Sequence, residues 1–124
     1  MSDGEFAEPL RGGWASDVVP FPTSAPKQVS FDRRELREIL DLYGRKVAEG
    51  EWRDYAIDFT RDKAVFSVYR RSSEVPLYRI EKDPKLARRQ GAYSVIAPSG
   101  LVLKRGHELS RVLRVLDKLR VVAS

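Results

Sequence analysis

Residues 55–71 read YAIDFTRDKAVFSVYRR, and this segment sets the fold class. Apolar and polar side chains alternate along its first part, so Tyr55, Ile57 and Phe59 share one face of a strand. The charged triplet at 61–63 is a turn signal, and a second strand fills the rest of the segment. Two strands joined by so short a turn pair antiparallel, because a parallel connection needs a dozen or more residues.

Three more strands are expected after this pair. One lies at residues 75–81, and two others, at 92–97 and 101–104, flank the tight reversal Pro98-Ser99-Gly100. None of the connections has room for a parallel crossover. The pattern therefore predicts an antiparallel sheet of about five strands.

A helix precedes the strands and a second helix follows them. Asp32 and Glu35 have the spacing of a capping box, and Gly50 ends the first helix. The apolar residues of this helix repeat at helical intervals: Leu36, Ile39, Leu40, Tyr43 and Val47. The second helix, at about 107–121, carries its own apolar stripe: Leu109, Val112, Leu113, Leu116 and Leu119. We predict an α+β domain of order α-β-β-β-β-β-α, with both helices packed on one face of the sheet.

The chain of 124 residues has the length of one domain plus a tail. Residues 1–28 hold four of the seven prolines and three of the eight glycines and show no periodicity, so we expect a disordered tail there and a single domain at 29–124. Within the tail, the apolar segment 18–22 is either a docking motif or a linker. The net charge is +5, and since the tail carries −2 (four acids, two bases), the remaining 96 residues carry +7.

Composition and motifs exclude several classes of protein. The chain has no cysteine, no apolar run of about 20 residues and no signal-peptide pattern at its start, so we expect a cytoplasmic protein without disulfides or a membrane anchor. No catalytic, metal or cofactor motif is recognisable. The single histidine, His107, has no partner in the local sequence, and Asp54 and Asp58 lie roughly 13 Å apart along one strand. An enzyme assembled from these three residues is our third choice.

Four segments show a family resemblance: Leu42–Arg45, Gly50–Ile57, Pro84–Tyr93 and Leu103–Leu109. Together they resemble a short alphaproteobacterial family known only as a domain of unknown function, over roughly residues 30–122. The resemblance implies a bacterial, cytoplasmic setting and brings no activity, ligand or site residue.

A basic constellation is the main candidate for a function. The loop at 82–91 carries four cations against one anion, and further cations lie in or beside the strands, interleaved with tyrosines. Nucleic-acid binders use cations to displace counterions from phosphates, and single-strand binders add aromatic faces. The predicted anion-binding residues are Arg70, Arg71, Arg79, Lys82, Lys85, Arg88, Arg89, Tyr93, Lys104 and Arg105.

Three interpretations of this basic set stay open. The first is a non-enzymatic protein that binds nucleic acid or another polyanion, including an acidic protein. The second is a protein–protein interaction or regulatory module that docks through a sheet edge or through the tail, and homodimers through a sheet edge belong to this class. The third is a set of ordinary surface ion pairs with no binding role.

Overall fold

The computed structural model describes residues 28–71 and 75–119. It contains a helix, five strands and a second helix, in the predicted order. The elements are α1 (Arg33–Ala48), β1 (Asp54–Phe59), β2 (Ala64–Tyr69), β3 (Tyr78–Lys82), β4 (Tyr93–Ile96), β5 (Val102–Gly106) and α2 (Leu109–Lys118). The predicted tail, and with it the segment 18–22, lies outside the described residues.

The five strands form one antiparallel meander in the order β1-β2-β3-β4-β5. Phe66, Ile80 and Val95 lie opposite one another on three adjacent strands, and all three are fully buried. Directly opposed residues share a face, so this row marks the face that the helices cover. From α2, Leu109, Val112, Leu113 and Leu116 close the core, which confirms the predicted stripe of that helix.

The capping box at the start of α1 is present as predicted. The side chain of Asp32 accepts from the backbone N–H of Glu35, and the side chain of Glu35 accepts from the backbone N–H of Asp32. At the other end of the helix, Gly50 takes a φ of +78°, in the left-handed region that favours glycine. Both ends of this helix could therefore be predicted from local chemistry.

The buried face of α1 differs from the predicted stripe. Glu35, Ile39, Leu42 and Lys46 are buried, whereas Leu40 and Val47 are 38% and 42% exposed. The helix turns two charged residues inward because each finds a partner there. Lys46 donates through Nζ to the carbonyl oxygens of Asp117 and Leu119, at 3.3 and 2.9 Å, and so caps the C-terminal end of α2.

Several element boundaries differ from the predicted ones by a few residues. β3 begins at Tyr78 rather than at residue 75, and α2 begins at Leu109, the first residue of its apolar stripe, rather than at about residue 107. The basic loop is not irregular throughout, since Pro84–Leu86 forms a 3₁₀ turn. The carbonyl of Leu86 then accepts from the backbone N–H groups of Arg89, Gln90 and Gly91 at 3.0, 3.1 and 2.9 Å, which makes the loop a compact hydrogen-bonded unit.

A candidate polyanion-binding groove

The structure divides the ten predicted anion-binding residues among several places. Arg70 and Arg71 follow β2 at one end of the sheet, and the loop 83–92 connects β3 to β4 at the opposite end. The six residues of β2 separate these ends by roughly 20 Å. The ten residues therefore do not form one continuous patch.

Two of the predicted residues, Lys82 and Tyr93, belong to a buried network around Glu35. Glu35 is only 2% exposed, and it accepts a hydrogen bond from Lys82 Nζ at 2.8 Å and another from the hydroxyl of Tyr93. Burial raises the pKa of Glu35, but these hydrogen bonds and that from the backbone of Asp32 outweigh it, so the pKa lies below its ordinary value. The same burial, together with the bond to Glu35, raises the pKa of Tyr93. Lys82 and Tyr93 thus serve as internal hydrogen-bond partners of Glu35.

Two others are paired with carboxylates, one exposed and one buried. Lys85 Nζ lies 2.9 Å from Asp62 in the β1–β2 turn, and its hydrogen bond holds the pKa of that carboxyl below its usual range. Arg79 Nε lies 3.8 Å from Glu81 on the sheet face away from the helices. Lys85 and Arg79 thus form local ion pairs with carboxylates of the domain itself.

The remaining cations include a group that lines one groove between β5 and α2. This groove, about 570 Å³ in volume, is lined by Lys104, Arg105, Gly106, His107, Glu108, Arg111, Val112 and Arg114. We call it the basic groove. Its four Lys and Arg side chains face a single carboxylate, that of Glu108, which gives it a charge of +3 with His107 neutral.

The register of the sheet explains why Lys104 and Arg105 both reach this groove. Lys104 lies opposite Val95 and shares the helix-covered face, while Arg105 lies opposite Ser94 on the other face. Because β5 is the last strand of the sheet, side chains from both faces meet at its free edge. Arg105 is held there by neutral partners, with Nε 2.9 Å from Ser94 Oγ and Nη1 2.6 Å from Gln90 Oε1.

Helix α2 supplies the other side of the groove. Arg111 and Arg114 are exposed and stand three residues apart, so they lie on neighbouring turns of the face opposite the apolar stripe. Arg111 Nε pairs with Glu108 at 2.8 Å, and Glu108 is the one carboxylate that lines the groove in the part of the chain that the structure describes. Among the described residues, Lys104 and Arg114 have no acidic partner. Glu108 is also the N-cap of α2, yet its side chain makes no capping bond, so backbone N–H groups at the helix start remain available.

The loop that precedes β4 extends the positive surface beside this groove. Gly91 has a φ of +102°, and a Cβ at this position would overlap the carbonyl group of Gly106 in β5. The absence of a side chain at Gly91 thus lets the loop rest directly on the groove's edge, where Gln90 contacts Arg105. Arg88 and Arg89 are exposed on this loop and have no acidic partner among the described residues.

Sequence reasoning found part of this groove and missed the rest. Lys104 and Arg105 were among the predicted residues, whereas Arg111 and Arg114 were not. The signal for the latter was present: the polar face of α2 carries Arg111, Arg114 and Lys118 against the single acid Asp117. His107, one of the three residues of the enzyme hypothesis, lines the groove at the opposite edge of the sheet from Asp54 and Asp58. Four strand spacings, roughly 19 Å, separate the strand of these carboxylates from β5, which His107 follows.

Other kinds of site receive no support from the described residues. Within 28–71 and 75–119, no three His, Asp or Glu side chains come together in a way that could hold a metal ion. In the same ranges, neither α1 nor α2 combines the length and the hydropathy needed to cross a bilayer.

Fold and groove together define a small α+β domain with a basic cleft along one edge strand. The chain matches the family described as protein of unknown function, DUF2794, over residues 29–113. Because this match covers more than half of the chain, the protein belongs to that family. No curated protein and no solved structure matches it.

Proposed function

We propose that this protein binds polyanions, with nucleic acid as the favoured ligand, through the basic groove and the adjoining loop. The observation that carries the proposal is the imbalance of charge in one concave surface: Lys104, Arg105, Arg111 and Arg114 against Glu108. A concave surface with one sign of charge concentrates the field and attracts ligands of the opposite sign. A cytoplasmic, bacterial setting is part of the proposal.

The composition of the groove favours contacts to phosphates over contacts to bases. Among the described residues, no Phe, Tyr or Trp lines the groove, and Tyr93, the one tyrosine in the predicted anion-binding set, is bonded to Glu35. Cations and the free N–H groups at the start of α2 are the donors that phosphate oxygens accept. We therefore expect binding with little sequence preference and with a strong dependence on salt.

The test is the affinity for short oligonucleotides, single- and double-stranded, measured by fluorescence anisotropy over a range of salt concentrations. For a duplex, the logarithm of the binding constant should fall with the logarithm of salt concentration with a slope of about −2.7 to −3.6, if three or four phosphates are neutralised. The double variant Lys104→Glu, Arg114→Glu should weaken binding at least about tenfold and reduce the slope by about 2.

The control is Arg37→Glu, which reverses one charge, as each substitution of the double variant does, at an exposed position of α1 that does not line the groove. It should bind almost as the unmodified protein does. Absence of salt-sensitive binding to any oligonucleotide at low ionic strength would overturn nucleic acid as the ligand. Equal losses in the double variant and in two such control substitutions would show that net charge matters and the groove does not.

A further inference from the structure

In the part of the chain that the structure describes, no strand pairs with the outer edge of β1, and the charges of this strand are the two carboxylates of Asp54 and Asp58. β1 is the first strand of the sheet, β2 is its one described partner, and five of its six residues are exposed. It contains no proline, glycine, lysine or arginine, and its register with β2 is regular throughout. β5 at the other edge differs, since it carries Lys104 and Arg105 and a register shift at Val95/Ile96. Natural sheets protect edges with such charges and bulges, so β1 is the edge left available.

An exposed apolar surface lies directly beside this edge. Tyr55 and Ile57 on β1 are 41% and 36% exposed, on the same face as the helices. The ring of Tyr43 on α1 lies 5.0 Å from that of Tyr55, which places the exposed Leu40 and Val47 of α1 next to the strand. Open backbone groups and exposed apolar side chains thus occur together on one side of the domain, and such surfaces are typical of interfaces.

We propose that a second copy of this chain occupies this surface, by antiparallel pairing of β1 with β1 about a two-fold axis at Ile57. The backbone of β1 has the orientation that this requires. Thr60 N–H donates to Lys63 on the β2 side, so the N–H groups at odd positions point outward. One of these outward N–H groups, that of Tyr55, donates in the monomer to Oδ1 of the neighbouring Asp54 at 2.8 Å.

A two-fold axis can pass through Ala56 or through Ile57. In both registers most of β1 pairs with β1 of the other copy, and the helix-covered faces of the two copies lie on the same side of the joined sheet. The register about Ala56 sets Asp54 opposite Asp58 of the other copy, twice, and like charges directly opposed are destabilising. The register about Ile57 sets Ile57 opposite itself, and Tyr55 opposite Phe59. It also sets Asp58 opposite Ala56, so no carboxylate faces another. The sequence of the edge thus selects self-pairing centred on Ile57.

A self-complementary edge is what a two-fold dimer needs, because both copies present the same surface. The axis stands perpendicular to the sheet, so the dimer has one continuous sheet of ten strands with all four helices on one side. The groove lies at β5, on the far edge, and stays open in this dimer. The inference is therefore independent of the proposed function.

The first experiment measures the mass of the full chain by size-exclusion chromatography with light scattering over a concentration series. We expect a dimer, and we expect Ile57→Lys to be monomeric with an unchanged circular dichroism spectrum, since Ile57 is partly exposed in the monomer. Val102→Lys, at an equally exposed position of β5, should remain dimeric. A full chain that is monomeric at every concentration, or an Ile57→Lys variant that stays dimeric, would overturn the proposal.

A second experiment tests the register. The chain has no cysteine, so one introduced thiol reports a single contact. The Ile57→Cys variant should form a covalent dimer on mild oxidation, because opposed residues of a hydrogen-bonded pair lie within disulfide range. The Ala56→Cys variant should cross-link poorly. The reverse result would exclude the axis at Ile57.

Discussion

The buried charges of α1 show how single residues set the position of whole elements. Lys46 is 1% exposed and bonds to the carbonyls at the end of α2, while Arg45 on the adjacent position pairs with Asp117 at 3.2 Å. A buried ammonium is tolerated only with such partners, because its desolvation costs several kcal/mol. Lys46 therefore fixes where α2 ends relative to α1, and the pairing of α1 with α2 places the stripe of α2 on the sheet.

Glu35 gives a prediction at the same scale. Its pKa in the folded protein lies below the ordinary value of 4.5, because the hydrogen bonds from Lys82 and Tyr93 outweigh the effect of burial. A carboxyl whose pKa is lowered by folding stabilises the fold above its unfolded pKa, and this contribution is lost as the pH falls through the folded value. The free energy of unfolding should thus decrease as the pH drops below about 4.5.

Urea unfolding at a series of pH values measures this effect. Glu35→Gln should lose about 3 kcal/mol at neutral pH, because Lys82 is left without its partner, and should lose less than the unmodified protein on acidification. Asp41→Asn, at an exposed position of the same helix, should follow the unmodified protein at every pH. If Glu35→Gln kept the full acid-dependent loss, the source would lie in other carboxylates.

At the scale of elements, the sequence predicts the fold because each local signal agrees with the next. The capping box at Asp32, the alternation in β1 and the stripe of α2 each follow from nearest-neighbour chemistry, and all three are confirmed. The buried face of α1 could not be predicted from nearest-neighbour chemistry, because a buried Lys46 is stable only through contacts with residues about 70 positions away. The prediction of the groove was incomplete for the same reason. The packing of α2 beside β5 is a tertiary contact, and residue spacing along the sequence does not predict it.

The loop at 83–92 gives the prediction that belongs to elements. Its contact with β5 depends on Gly91, which has both a positive φ and no room for a Cβ against Gly106. Gly91→Ala should lower the melting temperature by at least about 5 °C, because the backbone strain alone costs more than 1 kcal/mol. Gly100→Ala is the matched control, since Gly100 has a similar φ of +93° but open space around it. Equal losses in the two variants would show that the contact with β5 contributes nothing.

At the scale of the whole molecule, the two edges of the sheet have opposite characters. The β1 strand consists of apolar and aromatic residues together with two acids, Asp54 and Asp58, so its charge is negative. The β5 edge carries the basic groove. In the proposed dimer the two copies meet at β1, so the two grooves lie at the outermost strands of the sheet. Nine strand spacings separate those strands, which is about 43 Å. An axis perpendicular to the sheet places the two grooves at opposite outer edges of the dimer.

This arrangement predicts that one dimer bridges two short duplexes, because grooves about 43 Å apart cannot both contact one duplex of about ten base pairs, which is roughly 34 Å long. A duplex fixed to beads and loaded with the unmodified protein should retain a second, labelled duplex. Ile57→Lys should bind the fixed duplex but retain no second one, since each monomer has a single groove. The double variant Lys104→Glu, Arg114→Glu should bind the fixed duplex at least about tenfold more weakly and should retain correspondingly less of the labelled one. Retention of the labelled duplex by Ile57→Lys would contradict the bridging role of β1 even if the groove itself binds as proposed, because the second duplex would then be held without a dimer.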